Sequence, residues 1–311
     1  MKIGVIGTGA VGGYYGALLS RAGYDVHFLL RGDFEHVREH GLTVDSVDGD
    51  FVVKPVNAHG NAADMPVCDM AVVSLKTTQN FLLTDILPGI LRPGGIVVAL
   101  QNGLNIEDDI QKTVPSATVI GGLCFLCAAK IGPGHIHHQD HGAIRFGIYE
   151  KQPSRAGIAP ELQEIAQIFA RAGIPVRLTE DLAKARWEKL VWNMGFNGPA
   201  VMLNATTHEI LEHASACALV QDVMKEVVAG ANACGYPIPS EFADKMVKTT
   251  RKMVDYSPSM KLDHASGKPM EVETIYWRPI RAAAGHGMDM EKCRVLACQL
   301  DFLNTRADQI G

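Results

Sequence analysis

A lysine and two asparagines recur every four residues in the stretch ARWEKLVWNMGFN, at Lys189, Asn193 and Asn197. In a helix, positions four apart lie on one face, each rotated by about 40° from the last. One ammonium and two amides on one face could hold the polar groups of a bound molecule. The spacing fits equally well a lysine at the edge of a buried helix, with amides that cap or pack. Gly195 slightly favours a binding role, because a glycine inside a helix can permit close approach.

The later stretch SPSMKLDHASGKPMEVE carries Ser259, Asp263 and Glu271. Glu271 follows Pro269, a residue that suits the first turn of a helix. A glutamate in a first turn is most simply an acid that stabilises the helix dipole. The local pattern therefore gives Glu271 no catalytic role by itself.

A glycine-rich turn near the N-terminus has the spacing G-x-G-x-x-G, at Gly7, Gly9 and Gly12. The turn follows a short apolar strand and opens a helix, which is the context of a dinucleotide-binding site. The three glycines permit a tight turn, the approach of a pyrophosphate, and close packing of helix on strand. Free N–H groups of the helix would then face the phosphates. The remaining residues that we expect at the cofactor in this turn are Thr8, Ala10 and Val11.

Arg31 stands nineteen residues after Gly12, where the second strand ends. Enzymes that use NAD usually carry an acid near this position, whereas an arginine accommodates the 2′-phosphate of NADP. We therefore predict a preference for NADP. Asp33 is better explained as the N-cap of the next helix.

Two further strands end in polar clusters. The strand MAVVSL runs into Lys76, and the strand GIVVAL runs into Asn102. Ligands of open parallel sheets bind beyond the carboxyl ends of the strands. Gly7, Arg31, Lys76 and Asn102 all follow strand ends, so we expect them to share one edge.

The segment GPGHIHHQDHGAIRFG is rich in histidine and is framed by glycines. We interpret it as a structural, partly exposed hairpin, because alternation along a strand would divide the histidines between two faces. A metal site is the less favoured alternative, since no zinc pattern such as H-E-x-x-H is present. The candidate ligands are His135, His137, His138, Asp140 and His141.

Seven scattered cysteines include one C-x-x-C pair, Cys124 and Cys127. No second pair exists that would complete a zinc site. The pair lies in an apolar run typical of a strand, which favours buried thiols over a redox motif.

Composition is that of an ordinary soluble protein, with 47% hydrophobic and 20% charged residues and a net charge of −5. This charge gives no general attraction to nucleic acid or anionic membranes. No apolar run approaches the roughly 18 residues of a membrane span. The N-terminus is too rich in glycine for a signal peptide, so we expect a cytoplasmic protein.

The chain is expected to hold two domains, 1–180 and 181–311. Continuous apolar strands and intervening helices in the first part indicate a Rossmann-type α/β fold with buried parallel strands. After residue 180 the β-branched runs disappear and the second part is predicted to be all-α. Its expected helices span 182–197, 208–213, 216–234, 240–254, 270–284 and 289–307.

Over essentially its whole length the chain resembles the ketopantoate reductase (2-dehydropantoate 2-reductase) family. The motifs that carry this resemblance are GTGAVGGYYG, LLRG, SLKTTQ, LQNGLN, GPGHIHH, RWEKLVWNMGFN and SMKLDHASGKPMEVE. The resemblance implies reduction of the C2 ketone of 2-dehydropantoate by NADPH, in a cleft between two domains. Its partners are thus a small-molecule 2-oxo acid and the cofactor, and a homodimer is a further expectation.

The same resemblance implies roles for individual residues. Lys189 would be the general acid, a role that suits a cation facing developing negative charge. Glu271 would accept a hydrogen bond from Lys189 or from a substrate hydroxyl, and would lie against the cofactor. The residues implied to contact substrate are Asn193, Asn197 and Ser259, with Asn102 and Lys76 where nicotinamide and substrate meet.

Departures from the family pattern leave the choice of 2-oxo acid open. The Asn-Gly pair that often follows the late glutamate is absent here, and Trp277 and Arg278 could reshape the rim of the site. The alternatives are a reductase of another branched 2-oxo acid and an NADP-binding sensor without activity.

Overall fold

The computed structural model describes residues 1–150 and 157–310. Their contacts divide the chain into two compact units. The first unit comprises residues 1–101 and 106–182, and the second comprises residues 102–105 and 183–311. The short 102–105 segment thus belongs with the second unit, although the chain on both sides of it belongs with the first.

The first unit is built on a single twisted sheet. Its described strands are β1 (Lys2–Ile6), β2 (Asp25–Leu29), β3 (Leu42–Ser46), β4 (Phe51–Val53), β5 (Asn57–His59), β6 (Cys68–Val73), β7 (Leu91–Ala99), β8 (Thr118–Gly132), β9 (His135–Ile148) and β10 (Val176–Leu178). The order across the sheet is β4-β3-β9-β8-β7-β6-β1-β2-β5, and β10 pairs with β9.

The helices of the first unit lie between these strands. They are α1 (Ala10–Arg21), α2 (Phe34–His40), α3 (Leu83–Ile90), α4 (Ile106–Thr113) and α5 (Pro160–Arg171), with 3₁₀ turns at Ala62–Asp64 and Thr77–Leu82.

The central strands β7, β6, β1 and β2 are parallel, as expected for apolar runs buried on both faces. From β1 the chain moves to β2 on one side and later to β6 on the other. The carboxyl end of β1 is therefore a switch point of the sheet, where open α/β folds bind ligands. This confirms the predicted Rossmann-type fold.

The histidine-rich segment belongs to a hairpin, as interpreted from the sequence. The turn itself is short, and the histidines form strand β9, which pairs antiparallel with β8 and parallel with β3. His138 is completely buried, and its two ring nitrogens lie 2.8 Å from Ser46 Oγ and 2.9 Å from the His141 carbonyl. Among the described residues, no group of three or more His, Cys, Asp or Glu side chains is placed to hold a metal ion.

Both cysteines of the C-x-x-C pair lie on β8 as free thiols. Cys127 is buried and Cys124 is half-buried. Burial raises the pKa of the Cys127 thiol to about 11. This agrees with the interpretation as structural thiols.

Every described element of the second unit is helical, which confirms the predicted all-α class. The helices are α6 (Leu182–Met202), α7 (Thr207–Glu212), α8 (Ala214–Ala233), α9 (Phe242–Thr250), α10 (Ser259–Ala265), a π-helix (Glu273–Trp277), α11 (Arg278–Ala284) and α12 (Glu291–Ile310). Helix α10 was not expected, and the predicted helix 270–284 divides into the π-helix and α11. No helix of the described chain has the length and apolarity needed to cross a membrane.

Helix α6 runs through the core of the second unit. Trp187, Val191 and Met194 are fully or almost fully buried, and Phe196 is inaccessible to solvent. The helix extends past the expected end at residue 197 and continues through Pro199. Burial of each large apolar side chain contributes roughly 1.5–3 kcal/mol to the free energy of folding, so these contacts stabilise the position of α6 in the core.

Candidate active site

The glycine-rich turn is shaped by steric demands at its first and third glycines. Gly7 has φ +98°, and a Cβ there would meet the backbone of Leu75 at 2.5 Å. A Cβ on Gly12 would overlap Ser74 Oγ and the Gly7 carbonyl. The Ser74 hydroxyl donates to the Gly7 carbonyl at 2.8 Å, so the residue that follows β6 stabilises the turn.

Gly9 has open space in front of it, since a Cβ there would meet no atom within 4 Å. Helix α1 begins at Ala10, directly behind this space, and carries no acid in its first turn. A positive helix end with unobstructed N–H groups fits the pyrophosphate of a dinucleotide. Val11 is half-exposed in the same turn, whereas the Thr8 hydroxyl donates to the Leu29 carbonyl at 3.0 Å and fixes the loop against β2.

Arg31 follows the end of β2 and is exposed. Its Nη1 donates to Gln79 Oε1 at 3.5 Å, so the loops after β2 and β6 meet beside the glycine-rich turn. An exposed guanidinium at this edge has the fork of donors that suits a phosphate.

Asp33 has a different role from the one predicted. It occupies the N-cap position of α2, but its carboxylate makes no capping hydrogen bond. The carboxylate instead accepts from Lys130 Nζ at 2.5 Å and from the Gly134 N–H at 3.0 Å. Lys130 also lies 3.5 Å from the Thr8 carbonyl. This ion pair joins the glycine-rich turn, the Arg31 loop and the β8–β9 hairpin, and sequence spacing gave no sign of it.

Lys76 is half-buried at the start of the 3₁₀ turn Thr77–Leu82, after β6. Gln101 supports this region, because its Nε2 donates to the Leu75 carbonyl at 2.7 Å and to Asn80 Oδ1 at 2.6 Å. Gly7, Arg31 and Lys76 therefore follow the ends of three adjacent parallel strands, as expected. Asn102, the fourth residue of that expectation, belongs to the second unit.

The stripe of the second unit lies on α6. Lys189 is half-buried, whereas Asn193 and Asn197 are 5% and 2% exposed. Asn197 Oδ1 accepts from the Met260 N–H at 3.3 Å. The Asn193 Nδ2 is buried and has no hydrogen-bond partner in the described part of the chain. A buried donor of this kind is costly unless a ligand satisfies it.

Gly195 serves helix packing. A Cβ at this position would meet Met224 of α8 at 2.7 Å. The glycine therefore permits the close approach of two helices rather than of a ligand, which corrects the interpretation made from the sequence.

Ser259 is the first residue of α10, and Met260 follows it. The hydrogen bond from Met260 to Asn197 places the beginning of α10 beside the asparagine face of α6. The structure thus brings Ser259 and Asn197 to the same region of the second unit.

The 102–105 segment is anchored at Thr274. Pro279 has no N–H to offer the carbonyl five residues earlier in the π-helix. That carbonyl, of Thr274, accepts from the Leu104 N–H at 2.9 Å. Gly103 has φ +109°, and a Cβ there would lie 2.5 Å from Thr274 Cβ. These contacts carry Asn102 into the second unit.

Glu271 is buried, with 4% exposure, and lies just before the π-helix instead of within a first turn. Its carbonyl accepts from the Ile275 N–H at 3.2 Å. Glu271 and Thr274 are three residues apart, so the buried acid and the anchor of the 102–105 segment belong to the same short stretch.

The two residues that were expected to shape the rim of the site both form hydrogen bonds within the second unit. Trp277 Nε1 donates to Asp301 at 2.5 Å. Arg278 Nη1 donates to the carbonyls of Leu104 and Asn105, at 3.2 and 2.9 Å. Arg278 is therefore a second anchor of the 102–105 segment.

A glycine-rich turn at the switch point of the parallel part of a sheet, in a chain whose second unit is helical and carries a buried polar face, is typical of dinucleotide-dependent oxidoreductases. The two halves of the chain match the family models described as ketopantoate reductase PanE/ApbA, over residues 3–151, and its C-terminal part, over residues 181–304. The chain belongs to the ketopantoate reductase family.

Individual relatives agree over the full length. A 2-dehydropantoate 2-reductase of Nostoc sp. is 48% identical over 98% of this chain and 96% of its own. The crystal structure of a 2-dehydropantoate 2-reductase from Geobacter metallireducens is 37% identical, with a TM-score of 0.90, and covers 99% of this chain and 100% of its own. The enzyme from Methylococcus capsulatus is 32% identical with a TM-score of 0.87, covering 99% and 98%.

Proposed function

We propose that the protein is an NADPH-dependent 2-dehydropantoate 2-reductase. The observation that carries this proposal is the face of α6 with half-buried Lys189 and buried Asn193 and Asn197, beside the start of α10, in a chain 48% identical to a named 2-dehydropantoate 2-reductase. The net reaction converts 2-dehydropantoate, NADPH and a proton into pantoate and NADP⁺.

The cofactor is held by the first unit in this proposal. The turn from Gly7 to Gly12 accepts the pyrophosphate, and Arg31 pairs with the 2′-phosphate. Lys76 lies toward the reacting end. When bound, NADPH supplies the hydride that adds to the C2 ketone.

The second unit binds the 2-oxo acid and controls the proton. Lys189 stabilises the oxygen as negative charge develops on it, and then donates a proton to give the hydroxyl. Asn193, Asn197 and Ser259 hold the polar groups of the substrate, and Asn102 assists where nicotinamide and substrate meet. Buried Glu271 accepts a hydrogen bond from Lys189 or from the substrate hydroxyl.

The decisive experiment is a panel of 2-oxo acids assayed by oxidation of NADPH. We expect kcat/KM for 2-dehydropantoate to exceed that for pyruvate by at least about 100-fold, because pyruvate lacks the hydroxyl that the larger acid can offer to a buried polar group such as Asn193 Nδ2. Equal turnover of both acids would refute the proposal. Turnover of another branched acid would reassign the substrate, and cofactor binding without turnover would identify a sensor. The homodimer stays a prediction, which sedimentation velocity would test.

A further inference from the structure

The hydroxyl of a buried tyrosine bridges two backbone groups of helix α6, one next to each of the two asparagines. The Tyr276 hydroxyl accepts from the Gly198 N–H at 2.8 Å and donates to the Met194 carbonyl at 2.7 Å. In a regular helix, the N–H of residue 198 would bond directly to the carbonyl of residue 194. The hydroxyl of Tyr276 is therefore inserted into the hydrogen-bond ladder of α6.

The sequence of α6 is adapted to this insertion. A Cβ on Gly198 would overlap the Tyr276 hydroxyl, so glycine is required at that position. Pro199 follows, and it removes the N–H that would bond to the Gly195 carbonyl. An inserted side chain and a proline are two recognised causes of a local bend in a helix. Both occur within the turn that carries Asn197.

The bridge by the Tyr276 hydroxyl flanks the polar face of the proposed site. Asn193 directly precedes Met194, and Asn197 directly precedes Gly198. Tyr276 fixes the backbone at these two neighbouring residues. The direction of each amide therefore depends on the bridge that Tyr276 makes. Asn193 Nδ2 is the buried donor that lacks a partner in the described chain, so its direction determines which substrate group it can meet.

A purely structural role for Tyr276 is the simpler alternative. The side chain is fully buried, and a buried hydroxyl needs a partner in any case. However, α6 could close its own hydrogen bond without the hydroxyl, so the insertion is not needed to satisfy the helix. The π-helix that presents Tyr276 also carries the Thr274 anchor of the 102–105 segment, and π-helical turns occur frequently at functional sites.

We propose that Tyr276 is a positioning residue that sets the directions of Asn193 and Asn197 and thereby the enzyme's preference for a 2-oxo acid with a terminal hydroxyl. This inference rests on the proposed function, because it assigns the two amides to substrate. Tyr276 itself acts only through α6.

The test compares Tyr276→Phe with the wild-type enzyme on two substrates, 2-dehydropantoate and 3,3-dimethyl-2-oxobutanoate, which is the same acid without its hydroxyl. We expect kcat/KM for 2-dehydropantoate to fall roughly 10- to 100-fold, as for other small misplacements of binding groups. Turnover of the acid without the hydroxyl should change less than about threefold, and KM for NADPH should stay constant. If Tyr276 had only a structural role, the substitution would lower kcat/KM equally for both substrates.

Tyr149→Phe is the matched control. Tyr149 donates to Asp108 at 2.9 Å in the first unit, so this variant also loses one tyrosine hydroxyl bond. The ratio of the kcat/KM values for the two substrates should equal that of the wild type. Gly198→Ala disturbs the Tyr276 bridge from the helix side, and it should alter the ratio as Tyr276→Phe does even if one of the two variants folds poorly.

The outcomes separate this inference from the proposed function. If the wild type reduces 2-dehydropantoate and Tyr276→Phe keeps the wild-type ratio, the inference is overturned. If the wild type does not reduce 2-dehydropantoate, the proposed function fails, and NMR of the side-chain amides decides the positioning role. Shifted Asn193 and Asn197 signals in Tyr276→Phe but not in Tyr149→Phe would support that role, and unshifted signals would refute it.

Discussion

The Asp33 carboxylate and the Lys130 ammonium form an ion pair at 2.5 Å that joins the glycine-rich turn, the loop with Arg31 and the β8–β9 hairpin. Arg31 precedes Asp33 by two residues, so the pair also fixes the loop that presents Arg31. We expect Asp33→Asn to lower the free energy of unfolding by about 1–2 kcal/mol, because Lys130 loses its charged partner. It should also weaken NADPH binding several-fold, as measured by quenching of protein fluorescence. Asp50→Asn, at an exposed turn, is the control and should leave NADPH affinity unchanged.

The contribution of Asp33 should depend on pH. Burial alone would raise the pKa of Asp33, but the hydrogen bonds from Lys130 and Gly134 outweigh it, and the pKa is lowered. A carboxyl with a lowered pKa stabilises the fold above its unfolded pKa of about 3.9 and loses this effect as pH falls through the folded value. The stability difference between wild type and Asp33→Asn should thus be full above about pH 5 and shrink below about pH 4. A constant difference down to pH 3 would contradict this.

Arg31→Ala should discriminate between the two nicotinamide cofactors. A charged hydrogen bond to a phosphate contributes about 1.5–3 kcal/mol, or roughly 10- to 100-fold in affinity. We expect that loss for NADPH and little change for NADH, measured as dissociation constants by titration. Arg38→Ala is the control, because Arg38 is an exposed residue of α2 that pairs with Glu35. Equal loss for both cofactors would show that Arg31 does not contact the 2′-phosphate.

Lys189→Ala should lower kcat by roughly 100- to 10,000-fold, the usual contribution of a general acid. NADPH affinity should remain, because the cofactor motifs lie in the first unit. Lys184→Ala, five residues earlier on the same helix, should retain activity. Unchanged turnover in Lys189→Ala would remove the general-acid assignment while leaving the family membership intact.

The thiols should react in an order set by exposure. Cys298 is exposed, whereas burial raises the pKa of Cys127 to about 11. At pH 8, only about one in a thousand such thiols is ionised. Iodoacetamide should therefore modify Cys298 first and Cys127 only after unfolding, as followed by peptide mass spectrometry. Equally rapid labelling, or a disulfide between Cys124 and Cys127, would revive the redox interpretation.

Gly103→Ala should destabilise the second unit. The substitution combines a positive φ with a Cβ 2.5 Å from Thr274, and such strain costs about 1–3 kcal/mol. Gly89→Ala, at an exposed position of helix α3, is the control, since its Cβ would meet open space and alanine favours helix. Urea unfolding should show a lower free energy of unfolding for Gly103→Ala and a slightly higher one for Gly89→Ala.

The cofactor half of the site could be predicted because its signals are local. A strand, three glycines and a helix lie within twenty residues, and parallel strands bring their ends to one edge wherever the intervening helices lie. The same logic failed for Asp33, because its partner Lys130 lies 97 residues away and its capping position was the nearer explanation. For Gly195, the sequence indicated that the helix could be approached closely, but it could not identify Met224 as the neighbour.

The substrate half depended on the family resemblance. Four-residue spacing put Lys189, Asn193 and Asn197 on one face, but it could not say whether a ligand or the core lies opposite. The bridge from Tyr276 to α6 spans about 80 residues of chain and joins two helices that each look ordinary in sequence.

Residues 102–105 pack with the helical unit, although they lie within the part of the sequence that forms the sheet. A chimera that joins one relative's residues 1–182 to another's residues 183–311 would give the helical unit a foreign four-residue insert. That insert must still supply a glycine against Thr274, an N–H to its carbonyl, and two carbonyls to Arg278. A chimera should therefore fold when residues 102–105 are taken from the same relative as the helical unit, rather than from the relative that supplies the sheet.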